Sequence, residues 1–379
     1  MKTILITGGL GFIGLNLADQ LIRTGVRVRL FDSLSAQIHG ALPVIDHPVV
    51  ASASVEVVRG DVSRRADLVR AIDQVDAVVH LAAETGTAQS MYEVAHYSQV
   101  NIQATALLLD VLQREKHGVR KIALASSRSV YGEGAFVCHE CSPETVRYPD
   151  SRTREQLAAH QWEPLCPACG AGMSSIATPV HARIFPASIY AATKFAQEEL
   201  IRIGAQAQGI ASVVLRLQNV YGEGQSLNNP YTGILSIFST RIRQNKTLPI
   251  FEDGLESRDF VHVSDVARAF VAALETDTGA FDIFNVGAGH PVTVMDVATK
   301  LSDRLGGTIA PHTTAEYRVG DIRHCYADMT RTERALGCRP QVSIDDGLDR
   351  FVAWVRTQPL PEDRLDQAND ELRRRKLMA

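Results

Sequence analysis

The chain has 379 residues, of which 45% are hydrophobic and 22% charged, and its formal net charge is −4. This length predicts two domains, or one large domain with insertions. The composition excludes global disorder, which requires fewer apolar residues and a larger net charge. The slightly acidic balance, without a basic run interleaved with aromatic residues, argues against a nucleic-acid partner.

The sequence lacks the marks of a membrane or secreted protein. No stretch reaches the ~18 consecutive apolar residues of a membrane span. The first residues run directly into a strand-like pattern, without the charged, apolar and cleavage regions of a secretory signal. Six cysteines, four of them in two Cys-x-x-Cys pairs, favour a metal site over a disulfide scaffold. We therefore expect a cytoplasmic protein that does not associate with membranes.

The first 130 residues alternate short apolar segments with helical patterns. Strands are predicted over residues 3–7, 26–31, 55–59, 77–81 and 121–126, and helices over residues 13–23, 66–74 and 94–116. The strand segments are rich in Val, Ile and Leu and lack polar alternation, which is typical of strands buried on both faces. The strand–helix repetition predicts an α/β fold with a doubly wound parallel sheet.

The rest of the chain changes character twice. Residues 133–186 hold four of the six cysteines and little periodicity, so we predict an insertion there. A helix over residues 188–207 and a strand over 212–217 return to the first pattern. Helices are then expected over 233–244 and 264–274, with short strands, in a smaller lobe. The predicted segments are a first sheet part (1–132), the insertion (133–186), a return to the sheet (187–222) and mainly the C-terminal lobe (223–379).

A glycine-rich turn joins the first predicted strand to the first helix. Gly8, Gly11 and Gly14 fit a Gly-x-x-Gly-x-x-Gly spacing. Such glycines allow a tight turn and a close backbone approach to a pyrophosphate at the positive end of a helix. Asp32 ends the second strand, where an acidic group binds ribose hydroxyls and repels the extra phosphate of NADP. The pattern predicts bound NAD; a glycine turn without a ligand is the alternative interpretation.

Other cofactor-binding residues are expected along the same sheet edge. Asp61, after the third strand, is interpreted either as a partner of the adenine amino group or as a helix N-cap. Small residues after the fourth strand would let the cofactor lie close to the backbone, whereas His80 is expected to be a packed strand residue. The additional predicted cofactor-binding residues are Phe12, Ile13, Asp61, Val62, Leu81, Ala82 and Ala83.

A Tyr-Ala-Ala-Thr-Lys motif lies on the helix predicted over residues 188–207. Its Tyr190 and Lys194 are four residues apart and therefore share one helix face. A nearby ammonium group favours a phenolate and lowers the pKa of tyrosine from about 10. Tyr190 is thus a candidate base near neutral pH, although so short a motif also occurs by chance.

With these motifs, the chain resembles the extended short-chain dehydrogenase/reductase family, in its NAD-dependent nucleotide-sugar epimerase/dehydratase branch, over nearly its whole length. The resemblance rests on residues 7–14, 80–83, 127–132, 190–194, 215–222, 258–266 and 318–323. It implies a catalytic trio of Ser127, Tyr190 and Lys194, the last two also contacting the cofactor. It implies substrate contacts, with both arginines at the diphosphate, from Thr85, Ser127, Asn219, Arg258 and Arg318. A surface ion pair is the alternative role for each arginine.

Two positions bear on the reaction within this family. The dehydratases carry an Asp-Glu pair directly after the catalytic serine, where this chain has Arg128 and Ser129. Neither residue supplies the acid and the carboxylate that elimination of water needs. The resemblance therefore implies an isomerase, a nucleotide-sugar 4-epimerase that works through transient oxidation to a 4-keto sugar and return of hydride to the opposite face.

The substrate and the competing functions are less sharply defined. Residues 84–92 and 229–238 resemble a bacterial group of nucleotide-sugar 4-epimerases, which favours a dTDP-6-deoxyhexose or a UDP-hexose as the sugar nucleotide. An NAD(P)H-dependent 4-ketoreductase with the same trio is one alternative. A non-catalytic NAD-binding sensor or scaffold is another, although it would need only the glycines and Asp32. The helices predicted over 94–116 and 188–207 correspond to those that pair in similar enzymes, so we expect a homodimer.

The two Cys-x-x-Cys pairs predict a metal site within the insertion. Four thiolates are the usual ligands of tetrahedral structural zinc. They come from Cys138, Cys141, Cys166 and Cys169. A zinc ion with four protein ligands has no open position, so the expected role is structural. His139 as a ligand, reduced thiols and disulfides are the alternatives.

Overall fold

The structure is a computed structural model that describes residues 1–40, 45, 47–227, 229 and 233–379. Its strands are β1 (Thr3–Thr7), β2 (Arg27–Asp32), β3 (Val55–Arg59), β4 (Ala77–His80), β5 (Lys121–Ser127), β6 (Phe136–Cys138), β7 (Ser142–Arg147), β8 (Ser174–Ser175), β9 (Ala211–Leu217), β10 (Asn219–Tyr221), β11 (Pro249–Ile250), β12 (Ser257–His262), β13 (Phe281–Val286), β14 (Pro291–Thr293), β15 (His312–Thr313) and β16 (His324–Cys325). Its α-helices are α1 (Phe12–Arg23), α2 (Ala36–His39), α3 (Arg65–Ile72), α4 (Thr87–Ser90), α5 (Val94–Tyr97), α6 (Ala104–Arg114), α7 (Arg154–Ala158), α8 (Ile189–Ala207), α9 (Ile234–Arg243), α10 (Val263–Glu275), α11 (Val294–Leu305), α12 (Thr330–Leu336), α13 (Ile344–Thr357) and α14 (Leu365–Arg374).

Seven parallel strands form the main sheet in the order β13-β9-β5-β4-β1-β2-β3. The five strands predicted in the first 130 residues are β1–β5, with ends displaced by at most one residue. The chain order reverses between β1 and β4, and in open α/β sheets ligands bind beyond the carboxyl ends of the strands at such a point. The predicted Rossmann-like α/β fold is confirmed.

Helices cover both faces of the main sheet, as the uninterrupted apolar character of its strands requires. Ile4 and Ile6 of β1 pack in one hydrophobic cluster with Phe270 of α10. Leu5, between them, packs in a second cluster with Ile201 of α8. Successive strand side chains point to opposite faces, so β1 contributes to both halves of the core.

One helix predicted from the sequence is interrupted. The segment predicted as a single helix over residues 94–116 consists of α5, a π-helical segment (Ser98–Gln103) and α6. Asn101 lies in the π-helical segment and is buried; its Oδ1 accepts from the Glu84 backbone N–H at 2.8 Å, and its Nδ2 donates to Thr193 Oγ1 at 2.9 Å. The widened turn therefore joins the loop after β4 to α8, which carries Tyr190.

The part after residue 222 also contributes to the main sheet. β13 was not predicted as a sheet strand, yet it pairs in parallel with β9, with Phe281 opposite Ser212. A separate core forms the smaller lobe, where Phe238 of α9, Leu301 of α11 and Phe351 of α13 pack together. The other predicted helices are present, with ends within two residues of those expected.

The insertion forms a small antiparallel sheet in the order β7-β6-β8. Its core is short and contains two cysteines: Phe136, Cys138, Cys166 and Met173 are buried together. So small an apolar cluster contributes little stabilisation, which is typical of domains that need a further cross-link. In the part of the chain that the structure describes, no helix is both long and apolar enough to cross a membrane.

Candidate active site

A cavity of about 650 Å³ lies at the carboxyl ends of the central strands. Most of the residues predicted to bind cofactor or substrate line it: Gly8, Gly11, Phe12, Ile13, Gly14, Asp32, Asp61, Val62, Leu81, Ala82, Ala83, Thr85, Ser127, Tyr190 and Asn219. Lys194, Arg258 and Arg318 are not among its described lining residues. The volume lies within the range of small-molecule and cofactor sites.

The glycine turn fits its predicted role in sterics and in polarity. Gly8 has φ +67°, and a Cβ there would lie 2.9 Å from the backbone nitrogen of Ala82. A Cβ on Gly14 would lie 2.6 Å from the carbonyl oxygen of Gly9. α1 begins after Gly11, and no side chain caps it. The first N–H groups of α1, at the end of the helix that borders the cavity, therefore have no acceptor within the helix. Such a turn suits an anionic pyrophosphate.

The Asp32 carboxylate is held in place by hydrogen bonds from two backbone N–H groups. Its Oδ2 accepts from the Leu10 N–H at 3.1 Å and its Oδ1 from the Leu34 N–H at 2.8 Å. His39 Nε2 lies 3.7 Å from Oδ1. Each carboxylate oxygen retains a second lone pair, so the group can still accept hydrogen bonds from a ribose diol.

The structure distinguishes between the two interpretations of Asp61. Its Oδ1 accepts from the N–H of Ser63 at 2.8 Å and from the Ser63 hydroxyl at 2.6 Å. The N-cap of α3 is Arg64. Asp61 therefore stabilises a turn before the helix and is not its N-cap, while it also lines the cavity.

His80 is packed in the sheet, as predicted. Its Nδ1 lies 2.7 Å from Thr7 Oγ1 and its Nε2 3.0 Å from Thr105 Oγ1. Burial, assisted by the positive charge of Lys194, lowers the pKa of His80 to about 3. The imidazole is thus neutral at physiological pH and has both nitrogens engaged.

Lys194 is buried and Tyr190 is half-buried on α8, whose N-cap Ser188 accepts from the Ala191 N–H. Burial lowers the pKa of Lys194 to about 7, and its Nζ donates to Gln197 Oε1 at 2.7 Å. Burial also raises the pKa of Tyr190, while the nearby Ser127 hydroxyl and the charge of Arg128 act in the opposite direction. The net shift is opposite to the lowering expected from Lys194 alone, because desolvation of the phenolate outweighs the local charges.

Ser127 ends β5 beside Tyr190 on the cavity wall. Its Oγ accepts from the Ser129 N–H at 3.2 Å and lies 2.9 Å from Ser129 Oγ. With the Ser129 groups as donors, the Ser127 hydroxyl hydrogen is directed towards the Tyr190 oxygen, so that an oxygen bound between the two side chains would compete for it.

The two predicted diphosphate arginines, Arg258 buried and Arg318 half-buried, lie near one carboxylate, Asp321. Arg258 donates through Nη2 to Asp321 Oδ1 at 3.3 Å and through Nη1 to two backbone carbonyls. Arg318 donates through Nη2 to Asn369 Oδ1 at 3.0 Å and stacks on the Phe251 ring. Neither is a surface ion pair, and burial lowers the pKa of Arg318.

The four cysteines of the two pairs converge within the insertion. All four Sγ atoms lie within 4.8 Å of one another. Cys138 and Cys169 are 3.5 Å apart, and Cys141 and Cys166 are 3.6 Å apart. Tetrahedral zinc with Zn–S bonds of about 2.3 Å spaces its sulfurs by ~3.8 Å, so the ligand set fits this ion. His139 is outside the cluster.

Buried ion pairs join the insertion to the C-terminal lobe. Arg152 donates to Glu252 Oε2 at 2.8 Å and to the Asp321 carbonyl at 3.1 Å. Arg323 lies 2.7 Å from Glu163 Oε1, and its backbone N–H donates to Glu133 Oε2. The insertion thus holds the segment that carries Asp321, the partner of Arg258.

Several cavity residues were not predicted from the sequence. Ser33 and Ser35 lie between β2 and α2, and His39 ends α2; their position shortly after Asp32 in the chain was the available signal. His96 lies on α5, 3.2 Å from Glu84 Oε1, and no motif marks it. Further unpredicted lining residues are Arg128, Ser129, Gln225, Ser226 and Phe260.

Comparisons with known proteins agree with this geometry. A profile of the NAD dependent epimerase/dehydratase family matches residues 4–159 and 171–287. A dTDP-L-rhamnose 4-epimerase of Burkholderia thailandensis is 37% identical over 93% of this chain and 95% of its own. The crystal structure of UDP-glucose 4-epimerase from Thermotoga maritima, with UDP-glucose, has a TM-score of 0.75 and 27% identity over 93% of this chain and 98% of its own. A dTDP-glucose 4,6-dehydratase from Streptomyces venezuelae, with NAD bound, has a TM-score of 0.73 and 26% identity over 93% and 97% of the two chains.

Proposed function

Because the chain belongs to the NAD-dependent epimerase/dehydratase family, we propose that it is an isomerase that inverts carbon 4 of a nucleotide-diphosphate sugar, with NAD as resident cofactor. The observation that carries the proposal is one cavity lined by the glycine turn, by Asp32, and by Ser127 and Tyr190. Cofactor-binding and proton-transferring groups therefore meet in a single space, as transient oxidation of a bound sugar requires.

The residues present fit NAD. The Gly8–Ala82 approach leaves no room for a side chain, the N-terminus of α1 suits a pyrophosphate, and Asp32 suits unphosphorylated ribose hydroxyls. When bound, NAD supplies the acceptance and return of a hydride. Leu81, Ala82 and Ala83 lie along the same cavity wall and present only small or apolar side chains to it.

In the proposed mechanism, Tyr190 accepts the proton of the sugar 4-hydroxyl and later gives it back. Ser127 donates a hydrogen bond to the same oxygen, since Ser129 already supplies donors to Ser127 Oγ. Lys194, with its pKa near 7, is poised to exchange a proton at neutral pH and favours the phenolate when charged. Arg128 and Ser129 stand where an eliminating enzyme needs two carboxylic groups, which argues against a dehydratase.

For the substrate, we favour a dTDP-6-deoxyhexose over a UDP-hexose. The support is the 37% identical relative, which is named for dTDP-L-rhamnose. Resemblance of residues 84–92 and 229–238 to such enzymes points the same way; residues 230–232 lie outside the described part of the chain. Thr85 and Asn219 line the cavity and are the proposed contacts to the substrate, with Arg258 and Arg318 nearby at its diphosphate.

The direct test is to incubate the purified protein with dTDP-L-rhamnose, UDP-glucose and a GDP-sugar and to identify the products by NMR. A 4-epimer formed without net consumption of added NADH supports the proposal. Stoichiometric reduction of added NAD⁺ with accumulation of a 4-keto sugar would instead identify a 4-ketoreductase working in reverse. NAD binding without any sugar conversion would identify a sensor or scaffold.

We also propose that the insertion binds one structural zinc ion through Cys138, Cys141, Cys166 and Cys169. The support is the convergence of four thiols, at sulfur–sulfur distances near those around tetrahedral zinc, in a segment with a very small apolar core. All four positions of a tetrahedral ion would be occupied, so zinc stabilises the fold and takes no part in proton or hydride transfer.

Finally, we propose a cytoplasmic homodimer that pairs through the α5–α6 region and α8. Ile203 of α8 and Val94 of α5 are large apolar side chains left exposed, at 57% and 44%. Exposed apolar residues on neighbouring elements favour an association surface. Light scattering at micromolar concentration should give twice the chain mass; a monomer would contradict the proposal.

A further inference from the structure

Arg128 is a partly buried guanidinium on the cavity wall whose hydrogen bonding is incomplete. Its Nε donates to Asn219 Oδ1 at 3.0 Å. Its Nη1 is buried and, among the described residues, has no hydrogen-bond partner. The nearby Cys325 is at best a weak acceptor, since burial raises the pKa of its thiol and keeps it neutral. A buried charged donor without an acceptor is costly, so the site calls for an acceptor from a ligand.

The surroundings of Arg128 carry an excess of positive charge. Arg128, Arg258 and Arg318 all act on one carboxylate, Asp321, and hold its pKa below the ordinary range against the opposing effect of desolvation. A fourth arginine in this group, Arg152, is paired with Glu252. Three guanidinium groups thus face a single carboxylate.

Other carboxylates nearby do not cancel this excess. Glu316 is engaged by Arg373 at 2.6 Å. Burial raises the pKa of Glu133 and of Glu256, which both lie near Arg258, to about 7, so that these two groups are only partly ionised at neutral pH. A ligand with two or more negative charges, such as a diphosphate, therefore suits the cluster electrostatically.

Of the three arginines, Arg128 alone is among the described residues that line the cavity. The terminal nitrogens of Arg258 donate to two backbone carbonyls and to Asp321, and Nη2 of Arg318 donates to Asn369. Asn219 also lines the cavity. Its Oδ1 accepts from Arg128 Nε, so the group that Asn219 can offer to a ligand is the Nδ2 donor.

We propose that Arg128 is a substrate-binding residue, whose guanidinium group donates to a phosphoryl oxygen of the nucleoside-diphosphate group and whose Nε orients Asn219 to donate to the same ligand. This inference rests on the proposed function and assigns a third arginine to its substrate site. It gives Arg128 a binding role at the position where dehydration would require a carboxylic group.

The test compares binding of dTDP, UDP and the uncharged nucleoside thymidine to the NAD-loaded enzyme by calorimetry. Arg128→Met removes the charge but keeps the side-chain stem, and Arg128→Gln keeps one polar donor. Both should weaken dTDP and UDP binding by about 10- to 100-fold, the loss expected for one charge-assisted hydrogen bond, with little change for thymidine. Arg183→Met, at an exposed arginine of the insertion, is the matched control and should bind like the wild type.

The outcomes separate this inference from the function on which it rests. Either variant, folded by circular dichroism and binding dTDP and UDP as tightly as the wild type, would overturn the role of Arg128 while leaving the epimerase intact. Equal weakening for thymidine would also overturn it, because the loss would not follow the phosphates. A wild-type protein that binds neither diphosphate would overturn the proposed function and this inference together.

Discussion

Replacing Arg152 with leucine should loosen the joint between the insertion and the C-terminal lobe. The guanidinium, only 1% exposed, donates to Glu252 Oε2 at 2.8 Å and to the carbonyls of Trp162 and Asp321 at 3.0 and 3.1 Å. Breaking a buried ion pair costs about 3–5 kcal/mol, because the remaining charge is left unpaired. Glu252 keeps a second partner in Arg323 at 3.0 Å, so we expect the free energy of unfolding to fall by about 3 kcal/mol, the lower end of that range.

The loss should depend on pH in a defined direction through Glu133. Burial raises the pKa of this carboxyl to about 7, and the charge of Arg152 opposes the shift. Because the folded-state pKa lies above the unfolded value, the folded protein binds the proton more tightly, and Glu133 disfavours folding as pH rises towards and past 7. Without Arg152 the pKa rises further, so the variant should lose more stability at pH 8 than at pH 6.

Urea unfolding followed by tryptophan fluorescence, at both pH values, measures this effect. Arg183→Leu is the control, since that arginine is 44% exposed and pairs with the exposed Asp150, an arrangement worth about 0–1 kcal/mol. The Arg152 variant should also raise KM for the sugar nucleotide, because Asp321 orients Arg258. A variant within ~1 kcal/mol of the wild type at pH 8 would refute the reasoning.

Three further predictions concern the cofactor, the base and the metal. The protein should bind NAD more tightly than NADP in fluorescence titrations, and Asp32→Ala should reduce this difference in affinity between the two cofactors. Tighter NADP binding by the wild type would contradict the role of Asp32. Tyr190→Phe should lower kcat by at least ~10²-fold with NAD content and dTDP affinity preserved, since only the proton acceptor is lost; unchanged turnover would remove Tyr190 from the mechanism. Metal analysis should find one zinc per chain, lost in Cys141→Ser and retained in Cys338→Ser; zinc-free wild type prepared without chelator would exclude the site.

The sequence predicted those parts of the site that depend on local pattern. The glycine turn and the Val- and Ile-rich strands follow from short-range sterics and burial, so β1–β5 were correctly predicted; Gly8 and Asp32, predicted to bind the cofactor, both line the cavity. The helix over residues 94–116 was only partly predicted. Its π-helical turn accompanies hydrogen bonds of Asn101 with Glu84 and Thr193, which are distant in the sequence and give no local signal.

The sequence could not predict the electrostatics of the site, which depend on residues brought together by the fold. The pKa of Tyr190 was expected to fall beside Lys194, but the extent of burial at both side chains could not be known in advance. The incomplete hydrogen bonding of Arg128 and its grouping with Arg258 around Asp321 likewise depend on tertiary packing. β13 was missed because its place beside β9 is set by sheet order rather than by a local signal.

The central claim is inversion at carbon 4 by removal and return of the same hydrogen. It is tested most directly by incubating the NAD-loaded enzyme with dTDP-L-rhamnose deuterated at carbon 4 and following carbon 4 by NMR. The account predicts a mixture of the two 4-epimers, both retaining deuterium at carbon 4, with no requirement for added NADH. Epimers that lose deuterium to solvent, or no epimer from this sugar and from the UDP- and GDP-sugars, would contradict it.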